Sequence, residues 1–330
     1  MTNFDWSKKT VLVTGAGGFI GSHLTERVVS LGARTRALVH YNSAGSRGWL
    51  DDSGCRDQIE VIQGDIRDHD SIQRAIAGTD VVFHLAALIA IPYSYHAPLS
   101  YVRTNVEGTL NVLQAALAHR VERVIQTSTS EVYGTAQTVP ISESHPLQGQ
   151  SPYSASKIGA DKIAESFHLS FGLPVVTVRP FNTFGPRQSA RAVIPTIVTQ
   201  ALNENEIKLG NLEPTRDLNY VADTVDGFVK AAESEAAVGE VINLGTGREV
   251  SIGELAQTIL RSVGRDLPIV TEANRLRPEK SEVERLCADA TKARSLLGWQ
   301  PEHTFADALA LTIEWIKEHP QKFRRGVYVI

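Results

Sequence analysis

The chain has 330 residues, 42% apolar and 21% charged, with 33 Lys and Arg against 37 Asp and Glu for a formal net charge of −4. That length admits one large α/β domain or two unequal lobes, and a near-neutral balance without a dense basic run excludes nucleic acid or an anionic membrane as the main partner. Cys55 and Cys287 stand far apart with no His at metal-ligand spacing, so neither a disulfide framework nor a metal site is expected and a cytoplasmic location suits the usage. The N-terminus has no apolar signal region, and the run from Val81 to Ile91, interrupted by His84, is too short to cross a bilayer.

In chain order, continuous apolar runs predict buried strands over residues 11–14, 35–39, 59–63, 81–85, 123–127 and 175–178. Helical patterns fall between them at 18–31, 71–76, 100–119 and 153–171, long enough for right-handed crossovers. This alternation describes an α/β fold, a Rossmann-type doubly wound parallel sheet. After Pro180 the alternation breaks down into helices at 192–203, 221–233, 252–263 and 305–318 with isolated short strands, which predicts a smaller C-terminal α/β substrate lobe. The division is drawn as 1–180 for dinucleotide binding and 181–330 mainly for substrate, with a boundary that need not be continuous.

At the end of the first strand, Gly15, Gly18 and Gly21 follow one another at three-residue spacing as the chain enters a helix. Glycine lacks the Cβ that would block a tight turn, and a helix N-terminus offers N–H groups to a pyrophosphate, so strand, glycines and helix in this order predict dinucleotide binding rather than a merely flexible turn. The second strand ends His40-Tyr41-Asn42-Ser43, without the carboxylate that holds the ribose of NAD. NAD and NADP therefore both stay open, His40, Arg36 and Arg47 being able to accommodate a 2′-phosphate. Asp65 follows the third strand, where it can accept from an adenine amino group or cap the next segment.

Tyr153 and Lys157 stand four apart on one helical face, a spacing at which the ammonium is expected to lower the phenol's pKa for proton removal from a hydroxyl. Upstream, the fifth strand ends Thr127-Ser128-Thr129-Ser130-Glu131, where open α/β sheets place their ligands. Thr129 is expected to orient the substrate oxygen. Glu131 is either an exposed loop acid or a general acid/base, and simple alcohol oxidation has no task for it.

These motifs, with the runs His84 to Ser94, Gly185 to Arg191, Thr215-Arg216-Asp217 and Arg277 to Glu282, resemble an extended short-chain dehydrogenase/reductase. Specifically, the chain is similar to the nucleotide-sugar 4,6-dehydratases that open legionaminic acid biosynthesis. The resemblance implies a nicotinamide cofactor, NAD or NADP, contacted by Gly15, Gly18, Phe19, Ile20, Gly21, His40, Asn42, Asp65, Ile66, Leu85, Ala86, Ala87, Tyr153 and Lys157. It implies a catalytic set of Thr129, Ser130, Glu131, Tyr153 and Lys157, where Ser130 replaces the Asp of many related dehydratases. It also implies substrate contacts at Asn182, Arg191, Arg216 and Arg277, the two last on a diphosphate; for Arg277 a salt bridge within 275–285 is the competing reading. The expected substrate is an NDP-hexose, GDP- or UDP-N-acetylglucosamine, converted to its 4-keto-6-deoxy derivative with the nicotinamide recycled in place. Nucleotide-uronic acid decarboxylase and NDP-sugar epimerase are the alternatives, and a redox-sensing dinucleotide-binding regulator is the non-enzyme one. A homodimer is implied through helices 100–119 and 153–171, whose Val112, Ala116, Ile163 and Phe167 would otherwise be buried against the chain's own sheet.

Overall fold

The computed structural model describes residues 4–323. Runs of β-branched residues that are apolar at successive positions can be covered on both faces only inside a parallel sheet. The first six, β1 (Thr10–Thr14), β2 (Arg34–His40), β3 (Ile59–Gly64), β4 (Val81–His84), β5 (Arg123–Thr127) and β6 (Val175–Pro180), pair in the order β3-β2-β1-β4-β5-β6. A seventh strand, Val241–Leu244, joins in parallel beyond β6 with Val241 opposite Thr177. The sheet therefore reaches past residue 180 and takes its outer strand from the C-terminal half. The order reverses between β1 and β4, and the crevice at their carboxyl ends is the ligand position of a doubly wound sheet.

The first helices are α1 (Phe19–Ser30), α2 (His69–Ile76), α3 (Ile91–His96), α4 (Pro98–Tyr101), α5 (Gly108–Ala118) and α6 (Pro152–Phe171). In the second half come α7 (Val193–Asn203), α8 (Val221–Glu233), α9 (Ile252–Val263), α10 (Thr291–Leu297) and α11 (Phe305–Glu318). Side chains alternate across each strand. Val11, Val13, Phe83, Ile125 and Val178 pack against Leu24 and Val28 of α1 and Phe228 of α8. Leu12, Leu38, Val82 and Val124 pack on the other face against Ile72, Val112, Leu113 and Phe167. The smaller lobe has its own core, in which Ile197 of α7, Ile259 of α9 and Ile313 of α11 are buried.

Two expectations change here. The helix predicted over 100–119 is three pieces, because residues Val102–Glu107 between α4 and α5 form a π-helical segment. Its Asn105 is turned inward, with Nδ2 donating to Leu88 O (2.9 Å) and Ser156 Oγ (2.9 Å) and Oδ1 accepting from Leu88 N (2.8 Å). A single π turn is the kind of local widening that lets a helix present one side chain out of register. The second change concerns Val112, Ala116 and Phe167, which are buried in the chain's own core, with Ile163 packed against it, so their spacing serves the sheet and not a second copy.

α6 starts sharply. Ser151 and Ser154 cap each other reciprocally, Pro152 occupies the first helical position, and Gly172 closes the helix in the left-handed conformation. Tyr153 thus lies in the first turn, at a fixed height beside the end of β5. Phe83, wholly buried at the centre of β4 and stacked on Trp6 with ring centroids 6.3 Å apart, tests the core. F83A should cost about 3–5 kcal/mol, seen as a lower midpoint of denaturant unfolding; an unmoved midpoint would contradict this packing.

Candidate active site

β1 hands the chain to Gly15, which has a φ of +68° and lies so close to β4 that a Cβ would stand 2.8 Å from Ala86 N. Only glycine allows that approach. Gly18 then begins α1 without a side-chain cap among the described residues, which leaves first-turn N–H groups free to bind an anion. Phe19 and Ile20 are half-buried in the same turn, and Gly21 is buried. The loop after β2 crosses this turn, Trp49 N donating to Gly17 O (3.0 Å) while the Trp49 ring meets Trp315 of α11 edge-on at 5.5 Å.

A hydrogen-bond chain fixes the base of the crevice. Thr14 Oγ1 accepts from Leu85 N and Ala86 N (3.1 Å each), so its own proton goes to His84 Nδ1 (2.8 Å). His84 Nε2 then donates to Thr109 Oγ1 (3.1 Å), and Thr109 donates to Asn105 O (2.7 Å). Such a chain requires neutral imidazole, and burial pushes the His84 pKa down to about 3, with the Lys157 charge acting in the same sense. Ala87 continues this segment, half-buried.

Other residues expected around a dinucleotide have different settings. His40 is exposed at the end of β2, and Asn42 ties its loop together, donating to Ser46 O (2.8 Å) and accepting from Ser46 N (3.0 Å). Asp65 accepts from Arg67 N (2.9 Å) and from the Arg67 guanidinium (3.0 Å), which holds its carboxyl below the usual range; these are the contacts of a turn cap. Ile66 is buried under Gly108, and its carbonyl accepts from Asn111 (2.9 Å). Arg36 does not point to the ribose side: it pairs with Glu60 (3.0 Å) and donates to Ala77 O (2.6 Å) just beyond α2, where a cation satisfies the helix's terminal carbonyls.

At the end of β5, Thr129, Ser130 and Glu131 are all buried, as are Tyr153 and Lys157. Thr129 caps the short 3-10 turn Ser130–Tyr133 by accepting from Glu131 N (3.2 Å), and its hydroxyl faces Tyr153 closely enough to act on the phenol's pKa. Burial drives the Tyr153 pKa above its ordinary value, the Thr129 hydroxyl pulls it down, and the Glu131 charge raises it further. Lys157 donates to Thr127 O (2.6 Å), and burial lowers its pKa to about 8 against the upward pull of Asp161. The expected depression of the tyrosine by Lys157 is not seen among the described residues: the ammonium is turned to the strand carbonyl, and burial dominates the Tyr153 pKa.

On the far side of the crevice, Arg216 is 6% exposed and Arg277 half-buried, and Nη atoms of both lie 3.4 Å from the same Glu282 oxygen. The salt bridge that competed for Arg277 is thus present, and it draws in Arg216 as well. The strap carrying Glu282 is pinned by Gln150, whose Nε2 donates to Lys280 O and Glu282 O (3.2 Å each), and by Ser281, which donates to Gln150 O (2.6 Å). Asn182 Oδ1 is buried with no partner among the described residues. Arg191 is exposed before α7, bonded to Ser189 (3.4 Å).

Sequence reading missed His84, Asn105, Ser128, Asp161 and Glu282. Two of them had a signal. Asp161 continues the four-residue spacing of Tyr153 and Lys157, and Asn105 occupies an inward position one turn after Tyr101.

A family profile described as GDP-mannose 4,6 dehydratase matches residues 12–312. The chain belongs to that family. The crystal structure of the dTDP-glucose 4,6-dehydratase DesIV from Streptomyces venezuelae, with NAD and TYD bound, superposes with a TM-score of 0.87 at 32% identity, covering 96% of this chain and 99% of that one. The UDP-glucose 4-epimerase of Mycolicibacterium smegmatis is 34% identical over 94% of this chain and 99% of its own. A UDP-N-acetyl-alpha-D-glucosaminuronate decarboxylase of Bacillus cytotoxicus is 34% identical over 94% and 98%. No helix among the described residues of this family member is long and apolar enough to cross a membrane.

The buried imidazole gives a pH test. Because the folded His84 pKa of about 3 lies below the ordinary 6.5, the unfolded chain binds the proton first. Its contribution is complete above pH 6.5 and shrinks as pH falls toward 3, by up to about 1.4 kcal/mol per pH unit. The urea midpoints of wild type and H84N should therefore converge between pH 7.5 and 5. A gap independent of pH would contradict the neutral assignment.

Proposed function

We propose that this protein is an NAD- or NADP-dependent nucleotide-sugar 4,6-dehydratase. The observation that carries the reading is the buried Glu131 carboxylate beside Thr129 and Tyr153, in a place where alcohol oxidation alone needs no acid. The glycine turn against Ala86 and the uncapped start of α1 fit a dinucleotide's pyrophosphate, with Tyr153 and Lys157 toward its nicotinamide end. A bound nicotinamide supplies reversible two-electron chemistry, by which C4 is oxidised and C6 later reduced.

The chain's own residues move the protons. Tyr153, oriented by Thr129, takes the proton from O4 as C4 becomes a ketone. That ketone acidifies the C5 hydrogen, which Glu131 removes. The C6 hydroxyl leaves as water on receiving a proton from Ser130, or from a water that Ser130 holds. Lys157, with its pKa near 8, remains largely cationic at neutral pH and stabilises the Tyr153 phenolate that receives the O4 proton. Arg216 and Arg277 bind the nucleotide's diphosphate, for which their remaining N–H donors are suited, while Asn182 Oδ1 accepts from a sugar hydroxyl and Arg191 borders the opening. The product is a 4-keto-6-deoxy sugar nucleotide with no net redox change.

The finer reading, GDP- or UDP-N-acetylglucosamine at the opening of legionaminic acid biosynthesis in the cytoplasm, is supported by the motifs of the sequence. The decarboxylase relative favours a second reading in which a nucleotide-uronic acid, also oxidised at C4, loses its carboxylate. Product masses from a panel of nucleotide sugars separate the readings: loss of water means dehydratase, loss of carbon dioxide decarboxylase, unchanged mass epimerase. A redox-sensing regulator would give no turnover. E131Q keeps the shape but not the base, and should slow both water loss and C5 hydrogen exchange about 10²–10⁴-fold. Wild-type rates for both would remove Glu131 from the mechanism.

We also propose a homodimer. With Val112, Ala116 and Phe167 spent on the core, the apolar side chains left to a second copy around α4 and the end of α6 are Leu99, Val102, Leu169 and Phe171, exposed by 60%, 51%, 75% and 58%. Light scattering at micromolar concentration should give twice the monomer mass, and V102E/L169E should halve it. A monomeric wild type would refute the dimer.

A further inference from the structure

One helical face of α6 meets the end of β5 in three successive contacts. Thr129 acts on the Tyr153 hydroxyl, lowering its pKa, Lys157 donates to Thr127 O (2.6 Å), and Asp161 accepts from Ser128 Oγ (2.6 Å). The helix residues are spaced four apart, so their side chains line one stripe, while the strand residues are consecutive. Only the Tyr153 and Lys157 contacts belong to the chemistry set out above. The third is at least as enclosed, since Ser128, Asp161 and Arg179 are each between 3% and 4% exposed.

Asp161 is not simply an ion-pair partner that happens to lie nearby. All its described hydrogen bonds fall on Oδ2, which takes Ser128 Oγ, Arg179 Nε (3.2 Å) and Arg179 Nη2 (3.0 Å), while Oδ1 is buried without a partner. Arg179 is in turn held by Tyr133, donating to its hydroxyl (2.9 Å) and lying 4.9 Å over its ring. Tyr133 ends the turn that begins at Ser130. The carboxylate is thus aimed by a guanidinium fixed to the catalytic turn, and it grips the residue immediately before Thr129. A hydroxyl that bonded only for stability would not need its acceptor located from the same turn.

We infer that Ser128 and Asp161 form a positioning contact that sets the Thr129 hydroxyl against Tyr153 for the oxidation of C4. This rests on the proposed sugar-nucleotide chemistry, but on the step that dehydratase, decarboxylase and epimerase share. Tyr153 and Thr129 come from different elements, and nothing in β5 alone fixes the height of Thr129 along α6. The neighbouring rungs contribute to it: Ser128 N donates to Val178 O (2.7 Å) and so fixes the strand end in the sheet, while the Ser128 hydroxyl and the Thr127 carbonyl tie that strand end to α6.

The test is single-turnover loss of deuterium from C4 of a sugar nucleotide that the wild-type holoenzyme turns over, alongside steady-state constants and thermal unfolding. S128A leaves the Asp161–Arg179 pair intact and should slow C4 oxidation about 10–100-fold with KM within twofold of wild type. S128T, which restores the hydroxyl, should recover most of the rate. D161N retains an acceptor for Ser128 and should oxidise C4 faster than D161A; if either Asp161 variant does not fold, the comparison of S128A with S128T decides. C4 oxidation in S128A within twofold of wild type, or a slowed rate that S128T does not restore, would overturn the assignment while leaving the proposed function standing. A wild-type protein that oxidises no sugar nucleotide at C4 would overturn both.

Discussion

Thr14 and His84 are opposite one another as the last paired residues of β1 and β4, and the hydrogen bond between them closes the sheet at the point where its strands diverge. What lies beyond that point depends on it. Thr14 receives the N–H groups of Leu85 and Ala86, which seats the β4 loop against Gly15, and His84 passes the bonding on through Thr109 to the π segment and Asn105. Asn105 then holds Leu88 and Ser156. A directional chain of this kind has one proton arrangement, so it links the glycine turn, the crevice wall and α6 in a single geometry.

The carboxyl end of the sheet buries more charge than a stable fold would choose. Lys157, Asp161, Arg179, Glu131 and Arg216 are all nearly inaccessible. Desolvation makes each costly unless a partner is supplied, and the partners differ in kind. Arg179 and Asp161 compensate each other inside the protein. Arg216 donates to Thr215 O (2.8 Å), and its ion pair among the described residues is a 3.4 Å contact with a glutamate shared with Arg277. That contrast distinguishes a charge neutralised within its own buried pair from one whose ion pairing is long and shared.

Most of this was legible in the chain itself where local pattern decides. The run Arg123–Thr127 and the helices Val221–Glu233, Ile252–Val263 and Phe305–Glu318 occur where periodicity places them. The seventh strand was not visible, because a four-residue run with three apolar positions after an irregular stretch looks the same whether it joins a large sheet or a small one. Helical spacing in α5 and α6 showed an apolar face without showing what covers it, hence the misassigned Val112 and Phe167. Residue type and spacing singled out Tyr153, Lys157 and Glu131, and the fold buries all three at the end of β5. The lysine's turn toward Thr127, the sharing of Glu282 by two arginines and the grip of Asp161 on Ser128 depend on contacts between elements distant in sequence, which no local rule supplies.

The crossing of the glycine turn by the loop after β2 has a consequence for how this site can vary. A Cβ on Gly17 would stand 2.5 Å from Arg47 O, and one on Gly48, whose φ is +66°, would stand 2.3 Å from Gly17 O. The two glycines therefore form a co-dependent pair, one on each loop, with neither able to gain a side chain while the other keeps its place. Since Trp49 also leans on Trp315 from the far end of the chain, the loop is registered against both lobes. Transplanting a relative's β2 loop to alter ribose recognition would thus require three segments to be exchanged together, which makes cofactor preference a property of the assembled lobes more than of the residues that touch the ribose.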